Sequence, residues 1–170
     1  MTLLVVGVNH RSAPARVLDQ MALTPDEAEG LSADLAASDV VAEAMVLATC
    51  NRVEVCADVT RFHSVVTAVA ELMAKWTGVE RGTLIEHSYV HFDSSAVAHL
   101  FSVAAGLDSM VVGEAQILGQ VRASLARGQD SGTAGRVLNG VGQRALRAGK
   151  RVHAETGIDR SGVSVVSVGL

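Results

Sequence analysis

The chain contains few aromatic residues, prolines and cysteines, and each shortage excludes a class of protein. Only 3% of its 170 residues are aromatic, which argues against a nucleic-acid platform built on base stacking. Two prolines and an apolar content of 49% exclude collagen-like and disordered chains. Two cysteines are too few for a disulfide scaffold. No apolar run approaches the roughly 20 residues of a membrane span, and a secretion signal is lacking, so we expect a cytoplasmic globular protein.

The net charge of −4 is unevenly distributed along the chain. Residues 1–110 contain six Lys and Arg against fourteen Asp and Glu, whereas residues 111–170 contain eight against four. A basic C-terminal third fits either binding to a polyanion or packing against the acidic part of the chain. Composition does not choose between these two explanations.

The order of the hydrophobic patterns predicts an α+β fold. Short β-branched or alternating segments predict four strands, and two longer helical patterns lie between the first and second strands and between the third and fourth. The segment Thr24-Pro25-Asp26-Glu27 has the form of a capping box at a helix start. This β-α-β-β-α-β order is typical of a ferredoxin-like antiparallel sheet. The predicted strands are 3–8, 40–49, 53–59 and 88–92, and the predicted helices are 24–37 and 62–76.

The pattern after residue 94 is helical. It predicts helices over 95–105, 109–128 and 133–156, the second either continuous or broken near Gly113. The alternation of Val and Ser in 161–170 fits either a strand or the first turn of another helix. We therefore expect a helical subdomain to follow the sheet and to complete a functional site with it, and the start of a long helix to come after it.

Cys50 is the strongest candidate nucleophile in the sequence. It lies in Thr49-Cys50-Asn51-Arg52-Val53-Glu54, where an apolar strand gives way to polar residues. A cation beside a thiol at a strand end favours the thiolate, and Arg52 can alternatively hold a substrate carboxylate. The competing interpretation is an ordinary buried cysteine. Cys56 lies inside the third strand, where a structural role is expected, and no other cysteine completes a zinc site; whether Cys50 and Cys56 form a disulfide stays open.

Two histidines and a glycine-containing segment are further candidates. His99 follows the fourth strand and is a candidate base or orienting group for Cys50. His10 ends the first strand, which neighbours the third in this strand order, so it borders the same predicted site. Residues 106–121 have neither P-loop nor GxGxxG spacing. Their Ser and Gln residues fit either a polar small-molecule pocket or the capping of helices.

A stripe of arginines lies on the last predicted helix. Arg144, Arg147 and Arg151 follow i, i+3 and i+7 spacing, so they share one helix face. This face is either a phosphate-binding surface or a solvated helix surface.

Four motifs together resemble the glutamyl-tRNA reductase family, in the family's order and spacing along the whole chain. They are Gly7-Val8-Asn9-His10, the Cys50 motif from Thr49 to Glu54, the segment from Gly106 to Glu114, and Gln116-Ile117-Leu118-Gly119-Gln120. The resemblance implies a ferredoxin-like catalytic subdomain over 1–93 and a helical subdomain over 94–156. Residues 157–170 would then be the truncated start of an NADPH-binding domain.

The resemblance also implies a reaction. Cys50 attacks the ester that joins glutamate to tRNA, and NADPH, bound by a domain absent from this chain, reduces the thioester to glutamate 1-semialdehyde. This is the first step of tetrapyrrole biosynthesis, and no metal is implied; without the cofactor domain we expect only acyl transfer or ester hydrolysis. His99 would handle protons or orient groups. The implied substrate contacts are Thr49, Asn51, Arg52, Ser109, Glu114, Gln116 and Gln120.

The implied partners follow from the same resemblance. They are glutamyl-tRNA, a second copy joined through a missing C-terminal domain, and the aminomutase that consumes the semialdehyde. Two alternatives remain at this point. The first is a non-catalytic tRNA-binding module that uses Arg144, Arg147 and Arg151, and the second is a structural domain with an unreactive cysteine.

Overall fold

Four strands form one antiparallel sheet with seven helices around it in the computed structural model, which describes residues 2–156. The α+β prediction is therefore confirmed. The strands are β1 (Thr2–Asn9), β2 (Val41–Thr49), β3 (Arg52–Val59) and β4 (Tyr89–Phe92). The helices are α1 (Ala15–Gln20), α2 (Pro25–Ala36), α3 (Phe62–Thr77), α4 (Arg81–His87), α5 (Asp93–Ala104), α6 (Gln116–Ser131) and α7 (Arg136–Thr156).

The strand order is β2-β3-β1-β4, and each neighbouring pair is antiparallel. The register places Asn9 of β1 and Thr49 of β2 on either side of Arg52 in β3. The polar ends of three strands therefore meet at one edge of the sheet. The two-residue turn between β2 and β3, which contains Cys50 and Asn51, projects from that edge.

Both faces of the sheet are buried under helices, and side chains alternate between the two faces. Leu4, Val6 and Val8 of β1 pack with residues of α2, α3 and α4. Leu3 and Val5 pack on the opposite face with residues of α5, α6 and α7. In β3, the face toward α5–α7 carries three buried charged residues and a buried cysteine, which are Arg52, Glu54, Cys56 and Asp58.

Local signals set the ends of several helices. The Thr24 side chain accepts a hydrogen bond from the Glu27 N–H at 3.2 Å, and the Glu27 carboxylate accepts one from the Thr24 N–H at 2.8 Å. The predicted capping box is therefore confirmed. Gly78 ends α3 with a φ of 74°, a left-handed conformation that glycine adopts without steric cost.

A glutamate from the sheet caps the long C-terminal helix. The carboxylate of Glu43, in β2, accepts hydrogen bonds from the N–H groups of Val137 at 3.1 Å and Leu138 at 2.8 Å. A carboxylate at a helix N-terminus satisfies free N–H groups and opposes the positive end of the helix dipole. Glu43 thus fixes where α7 begins relative to the sheet.

The predicted helix over 109–128 is wrong at its start, and the alternative of a break near Gly113 is closer to the structure. Residues 105–115 form successive turns, and α6 begins at Gln116. Gly106 and Gly113 have φ values of 78° and 84°, and the Gly113 N–H donates to the Gly106 carbonyl at 2.9 Å. This closed loop, residues 105–115, lies beside the strand edge; we call it the site loop.

Two short helices were not predicted. The six residues of α1 and the seven of α4 are each too short to show a helical period in the sequence. The predicted strand or helix in 161–170 lies outside the described residues. Within residues 2–156, no helix combines the length and the hydropathy needed to cross a membrane.

Candidate functional site

Cys50 lies exposed at the tip of the β2–β3 turn. The Asn51 N–H donates to the Thr49 hydroxyl at 3.2 Å, which stabilises the turn from within. The Asn51 carbonyl accepts from the His10 N–H at 3.0 Å, which ties the turn to the end of β1. The thiol is therefore accessible while the backbone that carries it is held on both sides.

The turn, the site loop and the start of α6 form a cleft beside Cys50, with about 320 Å³ of space that includes its opening to solvent. We call it the Cys50 cleft. The seven predicted substrate contacts all line it together with Cys50, although they come from two distant segments of the sequence. Its lining includes Thr49, Asn51, Arg52, Ser109, Glu114, Gln116 and Gln120, with Met110 and Ile117 as apolar members.

Arg52 joins the sheet to the site loop through buried ion pairs. Its side chain is only 2% exposed. One terminal nitrogen donates to Glu54 Oε1 at 2.7 Å, and the other donates to the carbonyl and to Oδ2 of Asp108 at 2.6 and 3.1 Å. Burial would lower the pKa of Arg52, but the charges of Glu54 and Asp108 raise it above its ordinary value, so the guanidinium stays charged.

Glu54 is the centre of this network and is fully buried. Its Oε1 accepts hydrogen bonds from Arg52, from His99 Nε2 at 2.7 Å and from the Tyr89 hydroxyl, whereas Oε2 has no partner in the described part of the chain. Burial alone would raise the pKa of Glu54, but the hydrogen bond and charge of His99 and the charge of Arg52 bring it below its ordinary value. Burial and Glu54 raise the pKa of Tyr89, which therefore remains a donor.

His99 lies in a different cleft from Cys50. That second cleft is also lined by Tyr89, His91 and Asp108, and the rings of His91 and His99 stack with centroids 4.5 Å apart. Among the described residues, His99 is connected to the Cys50 cleft through Glu54, whose carboxylate accepts hydrogen bonds from both His99 and Arg52. Its predicted role as a base or orienting group remains a prediction, and the geometry favours the second of these.

One cluster has the spacing of metal ligands. Ligand atoms of Glu54, His99 and Asp108 lie within 4.8 Å of one another. Arg52 binds both carboxylates, so a guanidinium already supplies the positive charge at their centre. The two carboxylates of this set therefore pair with an arginine.

The second cysteine is structural. Cys56 is fully buried between Val5 and Met45 on the neighbouring strands, and burial raises the pKa of its thiol well above the ordinary value. Cys56 follows Arg52 by four positions along β3, a span of about 13 Å, and Cys50 lies beyond Arg52. Because a disulfide needs Cα atoms within about 7 Å, the possible Cys50–Cys56 bond is incompatible with this strand.

The predicted arginine stripe is exposed on α7. Arg144, Arg147 and Arg151 all lie on the solvent side, while Leu138 and Leu146 of the same helix are buried. Arg151 forms an exposed ion pair with Glu155 at 3.2 Å. The stripe is available to a polyanion, and its role in tRNA binding stays a prediction.

The buried hydrogen bonds around Arg52 and Glu54 form what we call the site network, and sequence reasoning missed three of its members: Glu54, Asp108 and Tyr89. Glu54 carried a signal, because two charged residues at alternate positions of an apolar strand share one buried face. Asp108 and Tyr89 carried no such signal, because their partners are distant in the chain. Asp108 lies 56 positions from Arg52, and Tyr89 lies 35 positions from Glu54.

Comparisons with known proteins agree with this architecture. Residues 6–156 match the family described as glutamyl-tRNAGlu reductase, N-terminal domain. Glutamyl-tRNA reductase of Thermobifida fusca is 54% identical over all 170 residues of this chain, which cover 36% of that protein. The reductase of Streptomyces coelicolor is 56% identical over the same 170 residues, which cover 29% of it.

A solved structure gives the same result. The structure of glutamyl-tRNA reductase from Methanopyrus kandleri superposes with a TM-score of 0.72 at 36% sequence identity. The match covers 90% of this chain and 34% of that one. This chain thus spans about a third of the length of these relatives. A family match over most of the chain, supported by fold and identity, shows that the chain belongs to the glutamyl-tRNA reductase family and corresponds to its N-terminal domain.

Proposed function

We propose that this chain carries out the acyl-transfer half of the glutamyl-tRNA reductase reaction, with Cys50 as the nucleophile. The observation that carries the proposal is the position of Cys50, exposed at a turn tip in one cleft with hydroxyl, amide and charged side chains. A site of this kind can bind a small zwitterion and present its ester to a thiol.

The proposed step is the transfer of an acyl group from an ester oxygen to a thiol. The Cys50 sulfur attacks the carbonyl carbon that joins glutamate to the ribose of tRNA, and the carbon–oxygen bond to the ribose breaks. The thiol proton ends on the departing ribose hydroxyl, and a glutamyl thioester remains on Cys50. A thiolate suits this task because it is nucleophilic near neutral pH and is itself a good leaving group later.

Glutamate recognition is assigned to the lining of the Cys50 cleft. Arg52 has five N–H groups, and its bonds to Glu54 and Asp108 leave donors for the substrate side-chain carboxylate. Glu114 offers a carboxylate to the α-ammonium group. The remaining predicted contacts, Thr49, Asn51, Ser109, Gln116 and Gln120, supply hydroxyl and amide groups that orient the ester.

His99 is assigned as a positioning residue. It donates to Glu54, which in turn fixes the guanidinium of Arg52 at the wall of the Cys50 cleft. We also assign residues 1–93 to a ferredoxin-like subdomain, on the basis of the strand order β2-β3-β1-β4. Residues 94–156 form the helical subdomain, which supplies the site loop and α6 to the cleft.

The reduction that the family resemblance implies needs NADPH, and the described residues do not fit a dinucleotide. Their sheet is antiparallel, and they have no glycine-rich turn between a parallel strand and a helix, which is where the pyrophosphate of a dinucleotide binds. We therefore assign no hydride step to residues 2–156.

Mass spectrometry after mixing the chain with glutamyl-tRNA tests the proposal. The wild-type protein and Cys56→Ala should both gain a glutamyl thioester that hydroxylamine removes, while Cys50→Ala should gain none. Cys56→Ala is the matched control, because it removes the buried thiol and leaves the exposed one. An adduct on Cys50→Ala, or none on the wild-type protein, contradicts the proposal.

A second candidate function is tRNA binding without catalysis, which the exposed arginines of α7 favour. Replacing Arg144, Arg147 and Arg151 with Gln should weaken tRNA binding and reduce its salt dependence, because fewer counterions are released. If Cys50→Ala binds tRNA normally and the wild-type protein shows no acylation, this second function replaces the first.

A further inference from the structure

We propose that Asp108 is a positioning residue for acyl transfer, which holds the site loop to the edge of the sheet and so sets where Ser109 and Glu114 lie in the Cys50 cleft. Both of these residues belong to the site loop and line the cleft. Asp108 itself is not part of that lining, so it acts through the residues whose position it fixes. The inference rests on the proposed function, because it concerns how the same cleft orders its substrate.

The site loop has little apolar attachment to the rest of the protein. Three of its four large apolar side chains, Leu107, Met110 and Val112, are 46%, 59% and 49% exposed. Residues 105–115 contribute no side chain to the two apolar cores that flank the sheet. The backbone hydrogen bonds that the N–H groups of the loop donate go to the loop itself or to the end of α5. Polar side-chain contacts must therefore fix the loop against the sheet.

Within the described part of the chain, all hydrogen bonds between the site loop and the sheet edge involve Asp108. Its carboxylate accepts from Asn9 Nδ2 at 3.4 Å, from Arg11 at 3.1 Å and from Arg52 at 3.1 Å. Its carbonyl accepts a second bond from Arg52, at 2.6 Å. Asn9 ends β1 and Arg52 begins β3, so one residue joins the loop to two neighbouring strands. We call these four contacts the loop latch.

The end of β1 is ordered by its own neighbours to bind Asp108. Asn9 is 5% exposed, and its Oδ1 accepts hydrogen bonds from the backbone N–H groups of Arg11 at 2.9 Å and Ser12 at 3.1 Å. Because this Asx turn occupies the oxygen of the amide, the side chain presents its Nδ2 to Asp108. The same turn places the Arg11 guanidinium against the other carboxylate oxygen of Asp108.

The loop latch acts directly on the residue after Asp108. The carbonyl that Arg52 binds belongs to the peptide bond that leads into Ser109, and Ser109 is only 6% exposed. A displacement of about 1 Å in a group that positions a substrate can lower a rate roughly 100-fold. A loop released from the sheet should therefore support acylation poorly, although the thiol of Cys50, on the β2–β3 turn, stays exposed.

Asn9→Asp breaks the loop latch with the smallest change of shape. The new carboxylate still accepts from the N–H groups of Arg11 and Ser12, but it replaces the donor to Asp108 with a second negative charge. Single-turnover acylation of Cys50 by glutamyl-tRNA should be at least about tenfold slower than in the wild-type protein. Alkylation of Cys50 by iodoacetamide should stay within about twofold, because the exposure of the thiol does not depend on the loop latch.

The exchanged pair separates positioning from general stability. Asp108→Asn alone should also slow acylation at least about tenfold. When Asn9→Asp and Asp108→Asn are combined, the amide at position 108 donates to the carboxylate at position 9, so part of the lost rate should return. A role in general stability does not predict this recovery. The matched control is Asp130→Asn, an exposed acid about 20 Å along α6 from Gln116, which should acylate at the wild-type rate.

Hydrogen exchange measures the loop latch without the reaction. Peptides that cover residues 105–115 should exchange about tenfold faster in Asn9→Asp and in Asp108→Asn than in the wild-type protein. Peptides from α2 and α3 should keep their wild-type rates. Faster exchange throughout the chain would indicate general destabilisation, and it would overturn the positioning role.

The possible failures are distinguishable. If glutamyl-tRNA does not acylate the wild-type protein, the proposed function is wrong, and hydrogen exchange still decides whether Asp108 holds the loop. If acylation occurs and both single variants keep the wild-type rate, or the combined variant recovers none of the loss, only the positioning role of Asp108 is wrong.

Discussion

The substitution Glu54→Gln tests whether one buried carboxylate holds the site network together. Glutamine has nearly the same shape as glutamate, so packing is retained and the charge alone is removed. Arg52, 2% exposed, would lose its charged partner at 2.7 Å and keep only Asp108. Breaking a buried ion pair by removing one partner costs about 3–5 kcal/mol, because an uncompensated charge stays buried.

The hydrogen-bond geometry around Glu54 leaves no favourable orientation for the amide of the introduced glutamine. Three donors converge on Glu54 Oε1, and Oε2 has no partner in residues 2–156. The amide nitrogen of the introduced glutamine must therefore either face three donors or stay buried without an acceptor. An unsatisfied buried donor costs about 1–3 kcal/mol by itself, so neither orientation of the amide rescues the variant.

Urea unfolding at pH 7 is the main assay, with thermal unfolding beside it. We expect the free energy of unfolding of Glu54→Gln to fall by about 3–5 kcal/mol and its thermal midpoint to fall by roughly 10 °C. The control is Glu86→Gln, an exposed residue of α4, which should change the free energy by less than about 0.5 kcal/mol. A loss below about 1 kcal/mol for Glu54→Gln refutes the account of an ionised, stabilising Glu54.

Three further predictions concern stability. The folded-state pKa of Glu54 is below its ordinary value of 4.5, so its contribution to the free energy of unfolding is fully present above pH 4.5. That contribution is lost as the pH falls through the folded-state pKa. Acid titration should therefore destabilise the wild-type protein more than Glu54→Gln. Gly149→Ala should lose about 1–3 kcal/mol in urea unfolding, because its Cβ would lie 2.6 Å from the Ala104 carbonyl oxygen, whereas Gly140→Ala, in open space on the same helix, should gain up to about 1 kcal/mol. Glu43→Ala should lose about 1–2 kcal/mol with its cap on α7, and an unchanged unfolding midpoint would exclude that role.

Local patterns were sufficient for most of the secondary structure. The start of α2 was predicted by the capping box at Thr24, and β2 and β3 by their apolar runs and alternation, because a few adjacent residues determine these features. Helix α1 was missed because its six residues are too few to show a helical period. Residues 109–115 of the site loop were predicted as the start of a helix, because the turns of the loop depend on Gly106 and Gly113 closing on each other.

The sequence by itself determined the succession of strands and main helices, the capped start of α2 and the position of Cys50 where a strand ends, because each depends on neighbours in the chain. Only the tertiary structure decided which distant groups meet. Arg52 binds Asp108, 56 residues away, and Glu54 binds His99, 45 residues away, which places His99 behind the arginine rather than beside the thiol. Burial fixes these pairings, since charges inside a folded protein must find partners there, and no local pattern specifies which partner the fold will supply.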